Sequence, residues 1–175
     1  HLPQGLEIIK GSAILSCNKL KHITIPNTVH TIGTNLCNNS IKHLYIPKSV
    51  TFISPKQVGR KLQCIEVSKR NTKYDSRNNC NAIIEKSTNR LIATCPNTII
   101  PNTVTTIATR AFQNSAITSI DIPNSVVRIE AYAFRWATQL NSIAIPSSVG
   151  YIGDSVFYSC PLDTIRMEAM TPPTI

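Results

Sequence analysis

One phrase returns six times along this chain: an aliphatic residue, Pro, two variable residues, an aliphatic residue, two more variables, then Ile. It reads Leu2-Pro3 with Leu6 and Ile9, Ile25-Pro26 with Val29 and Ile32, and Ile46-Pro47 with Val50 and Ile53. It returns as Ile100-Pro101 with Val104 and Ile107, Ile122-Pro123 with Val126 and Ile129, and Ile145-Pro146 with Val149 and Ile152. The prolines stand 23, 21, 54, 22 and 23 residues apart. A period near 22 residues with fixed apolar offsets specifies a solenoid. Function in such a fold is spread over a surface assembled rung by rung.

The period holds further inward positions. Five residues after the closing Ile stand Ile14, Cys37, Val58, Phe112, Phe134 and Phe157, preceded in most copies by a small or apolar residue such as Ala111 or Ala133. An L-x-x-I-x-I stretch then runs into the next Pro, as in Ile41, Leu44, Ile46 and Leu140, Ile143, Ile145, with a final partial copy at Leu162, Ile165, Met167. Stacked about 4.8 Å apart, equivalent positions form continuous aliphatic columns. At about 1.5–3 kcal/mol per buried large aliphatic side chain, each rung gains on the order of 10 kcal/mol before chain entropy opposes it. β-branched Ile suits the pleated half-buried surface of a strand, so I-x-I reads as strand. Pro has no N–H for a ladder and marks the corner after it. V-x-x-I reads as a second short extended segment, and the Ala-Phe stretch as a short helical turn.

The 54-residue gap between Pro47 and Pro101 hides one more copy. Ile65-Glu66-Val67 matches the strand, and Ser68 stands in the Pro position, 21 residues after Pro47. About ten extra residues follow before Pro101. They read as a β-hairpin in which Ala82–Glu85 and Arg90–Ala93 flank the polar loop 86–89. That register sets Glu85 against Arg90, Ile84 against Leu91 and Cys80 against Cys95.

The phrase I-x-I-P-x-[ST]-V-x-x-I-x-x-x-A-F-x-x-C-x-x-L, written most fully from Ile143 to Leu162, resembles the BspA-like leucine-rich repeats of bacterial surface proteins. The segment Tyr74-Asp75-Ser76-Arg77-Asn78-Asn79-Cys80-Asn81-Ala82-Ile83-Ile84 resembles an insert common in Bacteroides-type members. The resemblance covers nearly the whole chain. It implies a right-handed leucine-rich-repeat solenoid, with a parallel sheet on the concave face, short extended segments and helical turns elsewhere, and one inserted hairpin. It also implies export to the cell surface and adhesive or host-protein-binding roles, with no catalytic motif. The chain departs from the family pattern at Cys37 and Val58, where Phe is expected, and at Ser68.

Residues 1–175 are expected to form one repeat domain, interrupted by the insert at about 69–97, with 170–175 (Met-Thr-Pro-Pro-Thr-Ile) a linker to a further domain. No run of about 20 apolar residues is present to span a membrane as a helix. The expected location is extracellular or at the cell surface, with a signal peptide upstream. Charge is uneven: residues 1–90 hold 14 Lys/Arg and 4 Asp/Glu, while residues 91–175 hold 4 and 5, for a net +9. A basic half favours acidic partners, but its charges are scattered through loops without stacking aromatics, as on a solvated surface. No specific nucleic-acid partner is expected.

Among the six cysteines, Cys17, Cys37 and Cys160 fall in repeat positions suited to small buried residues. Cross-strand placement of Cys80 and Cys95 allows a disulfide in an oxidising compartment, with two reduced core thiols as the alternative. The residues that alternate with the inward strand positions should line the concave sheet. Lys21, His22, Lys42, His43 and Tyr45, with Glu66 on the next rung, form the candidate contact patch, since Tyr and basic groups serve as interface anchors. His22, His43 and Cys64 also lie in register on successive rungs, a zinc-compatible set without a clear fourth ligand. Otherwise they form an ordinary polar strand face, and no cofactor is expected. The chain holds no G-x-S-x-G, H-E-x-x-H, P-loop or Cys-x-x-Cys. It reads as a non-catalytic surface domain that binds a host or matrix protein, or a glycan, through its concave sheet. The alternatives are a structural spacer and an electrostatic binder of anionic polymers.

Overall fold

The computed structural model describes residues 2–14, 16–17, 19–34, 36, 40–54 and 62–168. Cys37, Val58 and the 170–175 linker lie outside them. The chain is a β-solenoid whose rungs carry two kinds of strand. The closing Ile of each phrase lies in a two-residue strand: β1 (Ile8–Ile9), β2 (Thr31–Ile32), β4 (Phe52–Ile53), β9 (Thr106–Ile107), β10 (Arg128–Ile129) and β12 (Tyr151–Ile152). These pair in parallel, β1-β2-β4 in one sheet and β9-β10-β12 in another. The L-x-x-I-x-I stretch gives the longer strands β3 (His43–Ile46) and β5 (Cys64–Val67), paired in parallel, and β11 (Ser142–Ile145) and β13 (Thr164–Met167), likewise paired.

Each Pro begins a turn whose carbonyl accepts from the N–H three residues on, as Pro26 does from Val29 (3.1 Å) and Pro101 from Val104 (2.9 Å). The hydroxyl of the [ST] residue explains its place in the phrase. Thr28, Ser49 and Ser148 donate to the carbonyls of Leu6, Val29 and Val126 on the preceding rung, at 2.7, 2.7 and 2.8 Å. The inward columns are buried as the period requires: Ile9, Ile32, Ile53, Ile107 and Ile129 are all at most 6% exposed. Phe112, Phe134 and Phe157 stack in a row, with centroids 4.9 and 5.6 Å apart. The last inward set differs. Ile152, Ile165 and Met167 are 40, 47 and 57% exposed, because a described rung stacks on their preceding side only.

Two expectations are corrected. The Ala-Phe stretch is not a helical turn. It is a run of reverse turns with left-handed residues three and seven positions after the closing Ile, at Arg110 and Asn114, Tyr132 and Trp136, Ser155 and Ser159. These residues reorient the peptide planes. On the Ile side, a later rung's N–H donates to the earlier rung, as Gly153 does to Ile129 (2.8 Å). On the turn side, the earlier rung donates to the later, as Phe112 does to Ala133 (2.7 Å). A helical turn would instead have directed these N–H groups to carbonyls of its own rung. Second, no strand forms at 22–25, 97–100 or 119–122. At 97–100 the insert takes the backbone groups: Ile99 N–H donates to Cys80 (3.0 Å), and Cys95 N–H donates to the Thr98 hydroxyl (2.9 Å).

The hidden copy is real, and its break is chemically defined. Ser68 accepts from Asn71 N–H at 2.8 Å, closing the same turn that Pro closes elsewhere. Asn71 therefore occupies the slot of Val29 and Val50, and Tyr74 the slot of Ile53. Asn71 is 1% exposed yet fully satisfied. Its Nδ2 donates to Pro47 and Val50 carbonyls, both at 2.9 Å, and its Oδ1 accepts from Lys73 and Tyr74 N–H at 2.9 and 2.8 Å. The Tyr74 hydroxyl accepts from Ile53 N–H at 3.2 Å, filling the gap in the Ile ladder. The chain then makes β6 (Tyr74–Asp75), a 3-10 turn (Arg77–Asn79), β7 (Ala82–Glu85) and β8 (Arg90–Thr94), an antiparallel meander. It rejoins the coil where Arg90-Leu91 pairs in parallel with Thr106-Ile107.

Asn71→Ala should lower stability by about 2–4 kcal/mol in urea unfolding, because it strips partners from three buried backbone groups and one part-buried one. Asn71→Val, the residue the repeat uses elsewhere, should not restore it.

Candidate functional site

On β3 and β5 the side chains alternate as the sequence requires. Leu44, Ile46, Ile65 and Val67 are buried, while His43, Tyr45 and Glu66 are exposed and Cys64 is half-buried. The ladder sets His43 beside Cys64 and Tyr45 beside Glu66. Lys42 is exposed just before β3, and its carbonyl accepts from Gln63 and Cys64 N–H at 2.8 and 3.1 Å. Lys21 and His22 are also exposed, but their rung forms no strand there and does not join the ladder. The structure thus brings together His43, Tyr45 and Glu66 and leaves Lys21 and His22 on an unlinked neighbouring segment. The three-rung zinc arrangement does not form: among the described residues, no three His, Cys, Asp or Glu side chains are placed to share a metal ion. Cys64 instead lies 3.9 Å from Glu66 Oε1, and burial, then that carboxylate, raises its thiol pKa.

The insert supplies a wall that the repeat does not predict. A groove of about 430 Å³ runs between Tyr45 and Glu66 on one side and Asp75–Asn79 on the other, with Ser68 and Lys69 between. Asp75 holds Arg77 through Nε (2.9 Å), while Arg77 Nη1 donates to Asn89 Oδ1 (2.8 Å) and Thr103 Oγ1 (3.2 Å). Ser76 Oγ accepts from Val67 N–H at 3.0 Å, fastening this wall to β5. The Asn-rich run was the legible signal. Asn78, Asn79 and Asn81 all take left-handed φ (57, 53 and 53°), which Asn tolerates better than most residues. A second groove of about 440 Å³ follows where the long-strand ladder is interrupted, lined by Ile99, Asn102, Ser119 and Asp121, with Ile99 70% exposed.

Hairpin pairing places Glu85 against Arg90 and Ile84 against Leu91, as read from the sequence. A bulge between Ile83 and Ile84 then sets Ala82 against Thr94, so the continued register no longer opposes Cys80 to Cys95. In the structure both are buried free thiols. Cys95 Sγ lies 3.5 and 3.4 Å from the carbonyls of Gln63 and Asn81. Burial pushes the Cys80 thiol up to about 11 and the Cys95 thiol in the same direction. Charges also repair across the fold. Glu85 lies 3.8 Å from Lys73, whereas Arg90 reaches forward to Glu130, with Nε donating at 3.0 Å. Burial alone would raise the Glu130 carboxyl, but hydrogen bonds from Arg90 and from the N–H and hydroxyl of Thr109 outweigh it and hold the group down at about 2.

Comparison with known proteins agrees with this geometry. The model of the BspA-type leucine-rich repeat region matches in six copies over residues 1–60 and 77–172, and the chain belongs to that family. No curated protein matches it. Among solved structures, a leucine-rich repeat protein from Eubacterium ventriosum is similar at 24% identity and TM-score 0.66, over 95% of this chain and 59% of that one. The pneumococcal vaccine antigen PcpA is similar at 20% identity and TM-score 0.67, over 95% and 49%. A leucine-rich cell surface protein from Faecalibacterium prausnitzii follows at 24% and 0.58, over 97% and 59%. These likenesses show the fold, and the chain spans about half to three-fifths of those structures. No helix among the described residues is long and apolar enough to cross a membrane.

The depressed Glu130 pKa makes its contribution fully present above its ordinary value of 4.5 and progressively lost as pH falls towards about 2. Glu130→Gln should therefore cost about 1–2 kcal/mol at neutral pH, allowing for solvent screening of the pair, and the gap to the parent should close at low pH in urea titrations. In native protein, iodoacetamide should label exposed Cys17 first and reach Cys80 and Cys95 only on unfolding, with peptide mass spectrometry reading the order.

Proposed function

We propose that the chain is a secreted or cell-surface binding domain that recognises an extracellular protein or glycan with the outward face of β3 and β5. The observation that carries this reading is the groove between Tyr45 and the insert. Two rungs alone would present a flat sheet, and the insert adds a wall bonded to β5 through Ser76. Tyr45 is 51% exposed at its mouth, with Lys42 and His43 beside it and Lys69 between the walls. A concave site with an aromatic anchor and a few charged groups is what recognition at a protein surface requires. The cell-surface and vaccine-antigen relatives support an extracellular setting. No catalytic step belongs to this reading.

Binding of the full chain to immobilised matrix proteins and to a glycan array tests it. A specific ligand should lose about tenfold or more in affinity on Tyr45→Ala, and less on Lys42→Ala, while unfolding midpoints stay unchanged. Retained affinity in Tyr45→Ala would move the site elsewhere. Silence across all ligands would favour a spacer, and a steep fall with salt for every ligand alike would favour a purely electrostatic binder.

A further inference from the structure

The turn side of the later rungs carries a second surface, remote in chain position from the β3–β5 groove. Arg135 lies among three aromatic rings, with its Cζ 4.0 Å from the Trp136 centroid, 5.0 Å from Tyr158 and 5.2 Å from Tyr132. Arg110 lies 4.8 Å from the other partner of this row, Tyr132. On the adjoining Ile ladder, Arg128 sits 3.6 Å above Tyr151, its register partner. Three rungs thus present interleaved guanidinium groups and rings.

Packing does not account for this arrangement. Tyr158 is 54% and Trp136 36% exposed. Arg110, Tyr132 and Trp136 hold left-handed φ of 63, 62 and 59°, in slots where other rungs place Ser12, Asn114, Ser155 and Ser159. That backbone belongs to the turn itself, so what distinguishes these rungs is the bulky Arg, Tyr and Trp side chains they place where others carry Ser or Asn. Arg110, Arg128 and Arg135 form no ion pair among the described residues, whose salt bridges use other groups. Arg135 Nε is buried and unpartnered. A guanidinium with its faces against rings is held rigid, and with Nε shielded its two terminal Nη groups are the edge that a planar anion can take in bidentate fashion.

The backbone narrows the class of ligand. Tyr132, Phe134 and Trp136 N–H groups are already spent on Asp154, Val156 and Tyr158 carbonyls at 2.9, 3.0 and 2.9 Å. The peptide donors beneath the Arg135 cluster therefore offer an extended peptide nothing to pair with. Ring faces and guanidinium edges remain, and these suit a sugar ring that bears a carboxylate. We propose that this face binds an acidic saccharide, with pyranose C–H faces on Trp136 and Tyr158 and carboxylates on Arg135 and Arg110.

Titration calorimetry of the full chain with a hexagalacturonate tests the proposal, with maltohexaose and poly-glutamate as comparisons. Hexagalacturonate should bind saturably, and the other two at least about tenfold more weakly. Arg135→Gln and Trp136→Asn should each lose about tenfold or more, and Arg135→Lys should not restore bidentate contact. Asn suits the left-handed backbone and stands in the same slot at Asn114, so Trp136→Asn should keep its unfolding midpoint. Four results would overturn the proposal: no saturable binding, equal binding of maltohexaose, equal binding of poly-glutamate, or unchanged affinity in both the Arg135→Gln and Trp136→Asn variants. Tyr45→Ala should leave this binding intact, which separates it from the β3–β5 site.

Discussion

Every rung of this molecule depends on the rung beside it to remove its aliphatic side chains from water. No single turn can enclose its own Ile, Leu and Val residues. The closing Ile column is buried from Ile9 to Ile129 and opens at Ile152 on its last described rung, as the long-strand column does at Ile165 and Met167. Hydrophobic burial drives the stacking, but it does not set the register. That task falls to short directional bonds. The hydroxyls of Thr28, Ser49 and Ser148 bind the previous rung, and the peptide ladders run in opposite senses on the Ile side and the turn side. Where both are described, as among the rungs of Ile107, Ile129 and Ile152, opposed ladders tie neighbouring rungs from both directions and hold them in axial position on both sides.

The insert shows how such a coil can open without losing continuity. Leaving the ladder exposes carbonyls and N–H groups that water cannot reach. Asn71 replaces an apolar side chain with two donors and an acceptor, and Tyr74 replaces Ile with a ring that carries its own hydroxyl to Ile53. On the far side, Arg90 binds Glu130 and fastens the hairpin to the later rungs. The same excursion raises a wall over Tyr45 and Glu66, so the feature that breaks the repeat also creates the groove.

The two candidate surfaces differ in physical character. The β3–β5 groove is a concavity between a strand face and a polar wall, with basic residues around an exposed Tyr. The turn face is a row of rings and arginines on left-handed backbone, with the Tyr132, Phe134 and Trp136 peptide donors already spent on the next rung. A repeat protein can carry both, because each rung contributes separate residues to each side, and a change on one need not disturb the other.

Much was legible in one dimension. Translation by about 22 residues shows which positions point inward, since a fixed period can only superimpose like on like, and the outward alternation of His43, Tyr45 and Glu66 follows from strand pleating. The missing rung was legible too, through Ile65-Glu66-Val67 and Ser68. The sequence alone did not show that the Ala-Phe stretch turns through left-handed residues, because Arg, Tyr and Trp there carry no Gly-like signal for it. A single-residue bulge at Ile83/Ile84 was equally silent, and it removed the opposition of Cys80 and Cys95. Arg90 lies across from Glu85 in the ladder yet bonds Glu130, because a long side chain answers to whatever lies nearby in three dimensions. Periodicity determined which residues form the core. Only the closed geometry of neighbouring rungs decided the partners of the residues outside it, since those contacts join positions that no repeat relates.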